Sequence, residues 1–132
     1  MANISAYAEK AMLDWVLGGA AATQPTTHFI GLSTVIPGST YGSEIGAGSG
    51  YTRQGMSFSA AASPAGSAVN SLAVTFGPFS NACTLSGITV WDTQLGANSG
   101  DLLWYGTLAT PRTMGAGDSF VLPSGSLLIT LA

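Results

Sequence analysis

Apolar residues recur at two different periods along this chain. In the first segment Ile4, Ala8, Ala11, Met12, Trp15 and Val16 lie three and four apart, which gathers them on one face of a helix. Asn3 or Ser5 is placed to cap its N-terminus, and Gly18-Gly19 ends it. Glu9, Lys10 and Asp14 take the opposite side. From residue 25 the period shortens to two, with β-branched and aromatic residues interrupted by Gly, Ser, Asn and Pro. Thr27 to Thr34 reads as a strand, with Phe29 on one side and His28, Ile30 and Leu32 on the other. A long loop over 35–50 leads to a second strand, Tyr51 to Phe58. Ala60 to Ser67 reads as a connection around Pro64. Leu72, Val74 and Phe76 alternate, and Gly77-Pro78 stops them. Thr84 to Trp91 follows, with Gly87 marking a bulge. Asp92 to Gly100 forms a hairpin loop before Leu102 to Leu108. Gly115-Ala116-Gly117-Asp118 turns between two last strands ending in Leu127, Ile129 and Leu131.

This order predicts a mainly β protein: an antiparallel β-sandwich or jelly-roll-like domain preceded by one N-terminal amphipathic α-helix. Residues 1–22 form the helix or arm, and residues 23–132 form the β-sandwich domain.

Composition changes the picture in one respect. Only nine of 132 residues are charged, 7%, against roughly 25% in an ordinary soluble domain. Three of the nine sit on the helix. A chain with so little surface charge is expected to spend its life against other protein. The net charge is −3, with Lys10, Arg53 and Arg112 as the only bases, too few to neutralise a run of phosphates, so no nucleic-acid partner is expected. No apolar run reaches the roughly 18 residues of a membrane helix, and Glu9, Lys10 and Asp14 interrupt the first segment, so neither a membrane partner nor a secretory leader is expected. Cys83 stands alone between Ala82 and Thr84 and reads as a buried, inert thiol in a protein made in a reducing cytoplasm.

Candidate chemistry is sparse. His28 is the sole histidine, and one His with one Cys cannot build a zinc site within one chain. Asp92, Asp101 and Asp118 each sit by a turn, where Asp commonly bonds its own backbone rather than calcium. The glycine run at 46–50 leads into a strand and lacks the Gly-Lys-Ser/Thr of a phosphate loop. Glu44 has no second carboxylate at a spacing that suggests glycoside hydrolysis. The expectation is no enzyme, no cofactor and no metal. Trp91, Trp104, Tyr105 and Tyr51 suit either a sugar-stacking surface or, with more reason on strands, core and interface positions.

A series of short motifs then resembles a known family. Pro25-Thr26-Thr27-His28-Phe29-Ile30-Gly31-Leu32-Ser33-Thr34 is followed by Ser43-Glu44-Ile45 and by Gly48-Ser49-Gly50-Tyr51-Thr52-Arg53-Gln54. Then come Gly87-Ile88-Thr89-Val90-Trp91-Asp92, Gly100-Asp101-Leu102-Leu103-Trp104-Tyr105-Gly106 and the closing Gly125-Ser126-Leu127-Leu128-Ile129. In this order they resemble a family of small tailed-phage virion proteins labelled tail fibre proteins. His28, Ser33 and Trp91 depart from its usual residues.

The resemblance implies a virion protein made in the host cytoplasm that works by assembly. The chain has no fibrous repeat or heptad shaft, which favours a capsid decoration (cement) protein: a homo-oligomer, expected to be a trimer, whose partner is the phage major capsid protein. The alternatives are a short tail-fibre or tail-tip component whose partners are tail proteins, and a lectin-like module using Trp91 or Trp104. Arg53 is expected to pair with Glu44 or Asp92 and fix the loop to the sheet. Trp15, Trp91 and Trp104 complete the candidate interaction residues.

Overall fold

The computed structural model describes residues 2–20, 23–35, 37–38, 44–46, 49–62, 66–95 and 100–130. Ser39, Ser43, Gly48, Pro64 and Leu131, and the tip of the 92–100 loop, lie outside them. The protein is mainly β with antiparallel pairing and a single N-terminal helix. Seven strands form one sheet: β1 (Ala2–Ile4), β2 (Phe29–Ser33), β3 (Gln54–Gly55), β4 (Ser67–Val69), β6 (Cys83–Trp91), β7 (Leu102–Met114) and β9 (Leu128–Thr130), in the order β3-β2-β6-β7-β1-β9-β4. Strands β5 (Val74–Phe76) and β8 (Phe120–Leu122) form a second, two-stranded sheet.

The helix α1 (Ala6–Val16) starts where the sequence places a cap. Ser5 is fully buried, and its hydroxyl accepts the Ala8 N–H at 3.1 Å. The same hydroxyl donates to the Leu102 carbonyl, and the Ser5 N–H donates to the Leu103 carbonyl at 3.0 Å. One serine therefore caps α1 and ties its start to β7. Ile4, expected on the helix, instead ends β1, which runs antiparallel to β7 (Asn3↔Tyr105) and parallel to β9 (Ala2↔Ile129). Three residues are too few to display an alternation, so this strand is invisible to periodicity.

The centre of the large sheet is the β2–β6–β7 ladder. Ile30 faces Val90 and Leu32 faces Ile88, while the intervening Gly31 faces Thr89. Successive strand residues point to opposite faces. Ile30, Leu32, Ile88 and Val90 therefore share one face, and Gly31, Thr89 and Trp91 share the other. The core extends to the small sheet through Phe76, whose ring stacks 6.0 Å from Tyr51 and lies 6.3 Å from Phe120.

Several expected boundaries move. The strand expected over Tyr51 to Phe58 alternates buried and exposed positions from Tyr51 to Gln54 and then shifts phase at Gly55, and only Gln54 and Gly55 pair with β2. The other end of the β2 edge is occupied: Ser33 bridges Glu44, and the Ile45 N–H donates to the Leu32 carbonyl at 3.2 Å. Residues 44–45 thus take the place that 51–53 would need. Strand β4 starts at Ser67, the last residue of what reads as a connection, and its small residues pair with β9 (Ala68↔Ile129). Strand β7 runs past Leu108 to Met114, since Arg112, Thr113 and Met114 pair with Leu85, Thr84 and Cys83. The register shifts between Leu85 and Gly87, next to the expected bulge, and Pro111 falls in the stretch of β7 that the shift leaves outside these pairs. Leu72 lies before β5 and is exposed. Cys83 is half-buried rather than buried, and burial raises the pKa of its thiol.

Candidate functional site

Two places hold side chains that the sequence singles out, on opposite faces of the β2–β6–β7 ladder. The first is a buried ionic knot. Arg53 donates from Nε to Glu44 Oε1 and from Nη2 to Glu44 Oε2, both at 2.7 Å, and from Nη1 to the Thr93 carbonyl at 2.9 Å. Its guanidinium lies 3.9 Å from the centroid of the Trp91 ring. The side chains are buried, Arg53 at 0% and Glu44 at 3% exposure. Tyr51 donates its hydroxyl proton to Glu44 Oε1 at 2.8 Å and accepts the Leu32 N–H at 2.9 Å. Burial, and then the Glu44 carboxylate, push the Tyr51 pKa well above its ordinary value. Trp91 is itself buried and donates its indole N–H to Thr89 Oγ1 at 2.8 Å.

Space for this knot comes from Gly31. A Cβ there would lie 2.7 Å from Thr89 Oγ1, 3.0 Å from the Tyr51 hydroxyl and 3.1 Å from the Trp91 indole nitrogen. Of the two carboxylates considered for Arg53, Glu44 is its partner. Asp92 instead closes the hairpin: its Oδ1 accepts the Asp101 N–H at 2.9 Å, and its carbonyl accepts from Thr27 at 2.9 Å. The bidentate pair is specific, and it locks residues 44–45 onto the edge of β2.

The second place is an apolar cleft of about 650 Å³ between α1 and the sheet. Ala8, Ala11, Met12 and Trp15 face it from the helix; Val90, Trp104 and Ile129 face it from the sheet. His28 lines it as well and meets the Phe58 ring edge-on at 6.0 Å. The helical face read from the sequence therefore points inward, but it does not close on the sheet. Ala8 is buried, whereas Trp15 at the mouth is 69% exposed. Trp104 is half-buried in the same cleft, so the structure brings Trp15 and Trp104 to one place and leaves Trp91 in the ionic knot on the other face.

The outer side of α1 is the larger surprise. Leu13 and Leu17 are 60% and 77% exposed, and Val16 is open as well. The expected polar side holds Lys10 and Asp14, joined by an ion pair, and Glu9, but leucines run between them. Their signal was present in the four-three-four spacing of Ala6, Lys10, Leu13 and Leu17, which lines up one stripe of a helix. Asp101 beside Tyr7 is the main cause that raises the pKa of that phenol, with burial second.

Asn70, not singled out by the sequence, is fully buried with its amide satisfied. It donates to the Leu72 and Pro123 carbonyls, both at 2.9 Å, and accepts the Leu127 N–H at 2.8 Å. It joins the end of β4 to the loop between β8 and β9. Among the described residues no group of three His, Cys, Asp or Glu side chains is placed to hold a metal ion. No helix among them is long and apolar enough to cross a membrane.

These features define a small β-rich module in which, among the described residues, exposed large apolar side chains concentrate on a helix. The chain belongs to the family described as podophage GP4 fiber I protein gp80, whose model matches residues 3–130. It is a phage virion structural protein of the fibre type. No curated protein matches the chain.

Proposed function

We propose that the protein is a component of the tail-fibre apparatus and works by protein–protein contact, without catalysis. The observation that carries this reading is the concentration of exposed large apolar side chains on α1, in a molecule with only nine charges. A helix in water normally turns such residues inward. The family description, a fibre protein, favours the tail over the capsid-decoration role that the compact fold first suggests. In this reading the protein self-associates, sits beside other tail proteins and is made in the host cytoplasm. The lectin-like alternative loses Trp91, whose ring is buried beneath Arg53.

Electron microscopy of intact virions at side-chain resolution tests the proposal. Density matching this fold in the tail, at a few copies per particle, supports it. Hundreds of copies over the head shell overturn it in favour of decoration.

A further inference from the structure

We propose that the cleft between α1 and the sheet is a docking site for an apolar segment of another protein that carries a lysine or arginine. This deepens the reading above and rests on its premise that the protein works by contact with protein.

The cleft has the size and the lining of a binding site. Its volume of about 650 Å³ falls within the roughly 300–1,000 Å³ of ligand pockets. Met12 and Trp15 line it from the helix, and Phe58, Leu103 and Trp104 line it from the β region. Trp15 is exposed and Trp104 is half-buried, so an occupant has two indole rings to cover.

Charge at one side of the cleft selects the occupant. Tyr7 also lines the cleft, is 46% exposed and has Asp101 beside it. Two ties fix this placement. Ser5, two residues before Tyr7, bonds to the Leu102 and Leu103 carbonyls, which brings Tyr7 to the start of β7 where Asp101 stands. Asp92 Oδ1 accepts the Asp101 N–H at 2.9 Å, which holds a second carboxylate near the first. Asp101 is the main cause that raises the pKa of the Tyr7 phenol, and Asp92 adds to it, so their negative potential reaches a side chain of the cleft wall.

The chain's own three bases are placed elsewhere or engaged. Lys10, three residues from Tyr7, is paired with Asp14. Arg53 is buried against Glu44 on the other face of the ladder. Arg112 stands opposite Leu85, toward the far end of β7. His28, also on the cleft wall, meets the Phe58 ring. A lysine or arginine from a partner matches both parts of the site. Its methylene stem lies along apolar surface while its charged head stays at the wet edge, and aromatic faces attract that head as the carboxylates do.

The test titrates the peptide acetyl-Leu-Leu-Lys-Leu-amide into the full-length protein and follows tryptophan fluorescence, with acetyl-Leu-Leu-Glu-Leu-amide as its counterpart. The lysine peptide should bind with a dissociation constant at least about tenfold below that of the glutamate peptide. Asp101→Asn keeps the shape, removes one charge and should weaken the lysine peptide several-fold with circular dichroism unchanged. Ala11→Leu fills the cleft from the helix and should abolish binding. Leu17→Gln, exposed and outside the cleft, should bind as the wild type does. Salt gives a reading that needs no variant: raising ionic strength from about 0.05 to about 0.5 M should weaken the lysine peptide several-fold. No binding at about 1 mM peptide, equal binding of the two peptides, indifference to salt, or a folded Asp101→Asn or Ala11→Leu variant that binds unchanged each overturns the proposal. Peptide affinity that falls as protein concentration rises would assign the cleft to a second copy and overturn it as well. Location in the virion is read separately by microscopy, so a failed titration leaves the tail reading standing, and a head location leaves the chemistry of the cleft standing.

Discussion

Replacing Arg53 with methionine keeps most of the side-chain volume and removes the charge. The Glu44 carboxylate, 3% exposed, then stays in its buried place without its cation. Breaking a buried ion pair from one side costs about 3–5 kcal/mol, because the remaining charge is uncompensated. The lost contact to Trp91 adds about 1 kcal/mol, partly recovered by the methionine. A net loss of about 4 kcal/mol is a large part of the 5–15 kcal/mol that holds a domain together. For a chain of this length it corresponds to a fall of roughly 12–20 °C in melting temperature.

Urea unfolding followed by tryptophan fluorescence and by circular dichroism measures the cost. The decisive comparison is the double variant Arg53→Met/Glu44→Leu. Apolar replacement of both partners of a buried pair is often near neutral. The double variant should therefore be more stable than Arg53→Met alone, with a coupling of at least about 2 kcal/mol between the sites. A single-variant cost under about 1 kcal/mol, or costs that simply add in the double variant, would refute the view that the pair locks residues 44–45 to β2.

Four further outcomes are expected. Tyr51 has a folded pKa above its unfolded value, so its contribution is complete below about pH 10 and declines as pH rises toward the folded value; unfolding free energies measured from pH 8 to 11 should fall, and Tyr51→Phe should remove most of that slope. Asn70→Ala strands buried partners on Leu72, Pro123 and Leu127 and should cost about 2–4 kcal/mol in urea unfolding. Gly31→Ala forces a methyl group against Thr89, Tyr51 and Trp91 and should cost about 1–3 kcal/mol, read as a lower melting temperature. The Cys83 thiol, half-buried with a raised pKa, should react with a thiol reagent more slowly than free cysteine at pH 8 and gain speed as pH rises.

The parts of the fold that repeat over several residues were legible in the sequence. The helix, the β2–β6–β7 ladder and the turn at Gly115–Asp118 all announce themselves by period or by turn chemistry, the last with Asp118 accepting the Gly115 N–H at 2.7 Å. Strands β1 and β4 did not, because a three-residue strand has no measurable period and takes its conformation from its neighbours. The edge of β2 was misjudged for a related reason. Two segments compete for it, and the winner is decided by the Glu44–Arg53 pair, nine residues apart in sequence. That pair could be proposed from scarcity alone, since a chain with three bases offers few partners, but choosing Glu44 over Asp92 needed the geometry. The leucines on the outer side of α1 are hidden in the sequence by the three charges beside them, which read as a solvated face.

The placement of β1 bears on the order of events during synthesis. The strand lies between β7 and β9, so residues 2–4 are held by residues made about a hundred positions later. A nascent chain carries α1 for nearly a hundred residues before the strand that receives its cap exists. The exposed outer stripe of α1 thus reaches its final place only in a molecule that has finished folding. Assembly through it would select completed subunits and pass over partial ones.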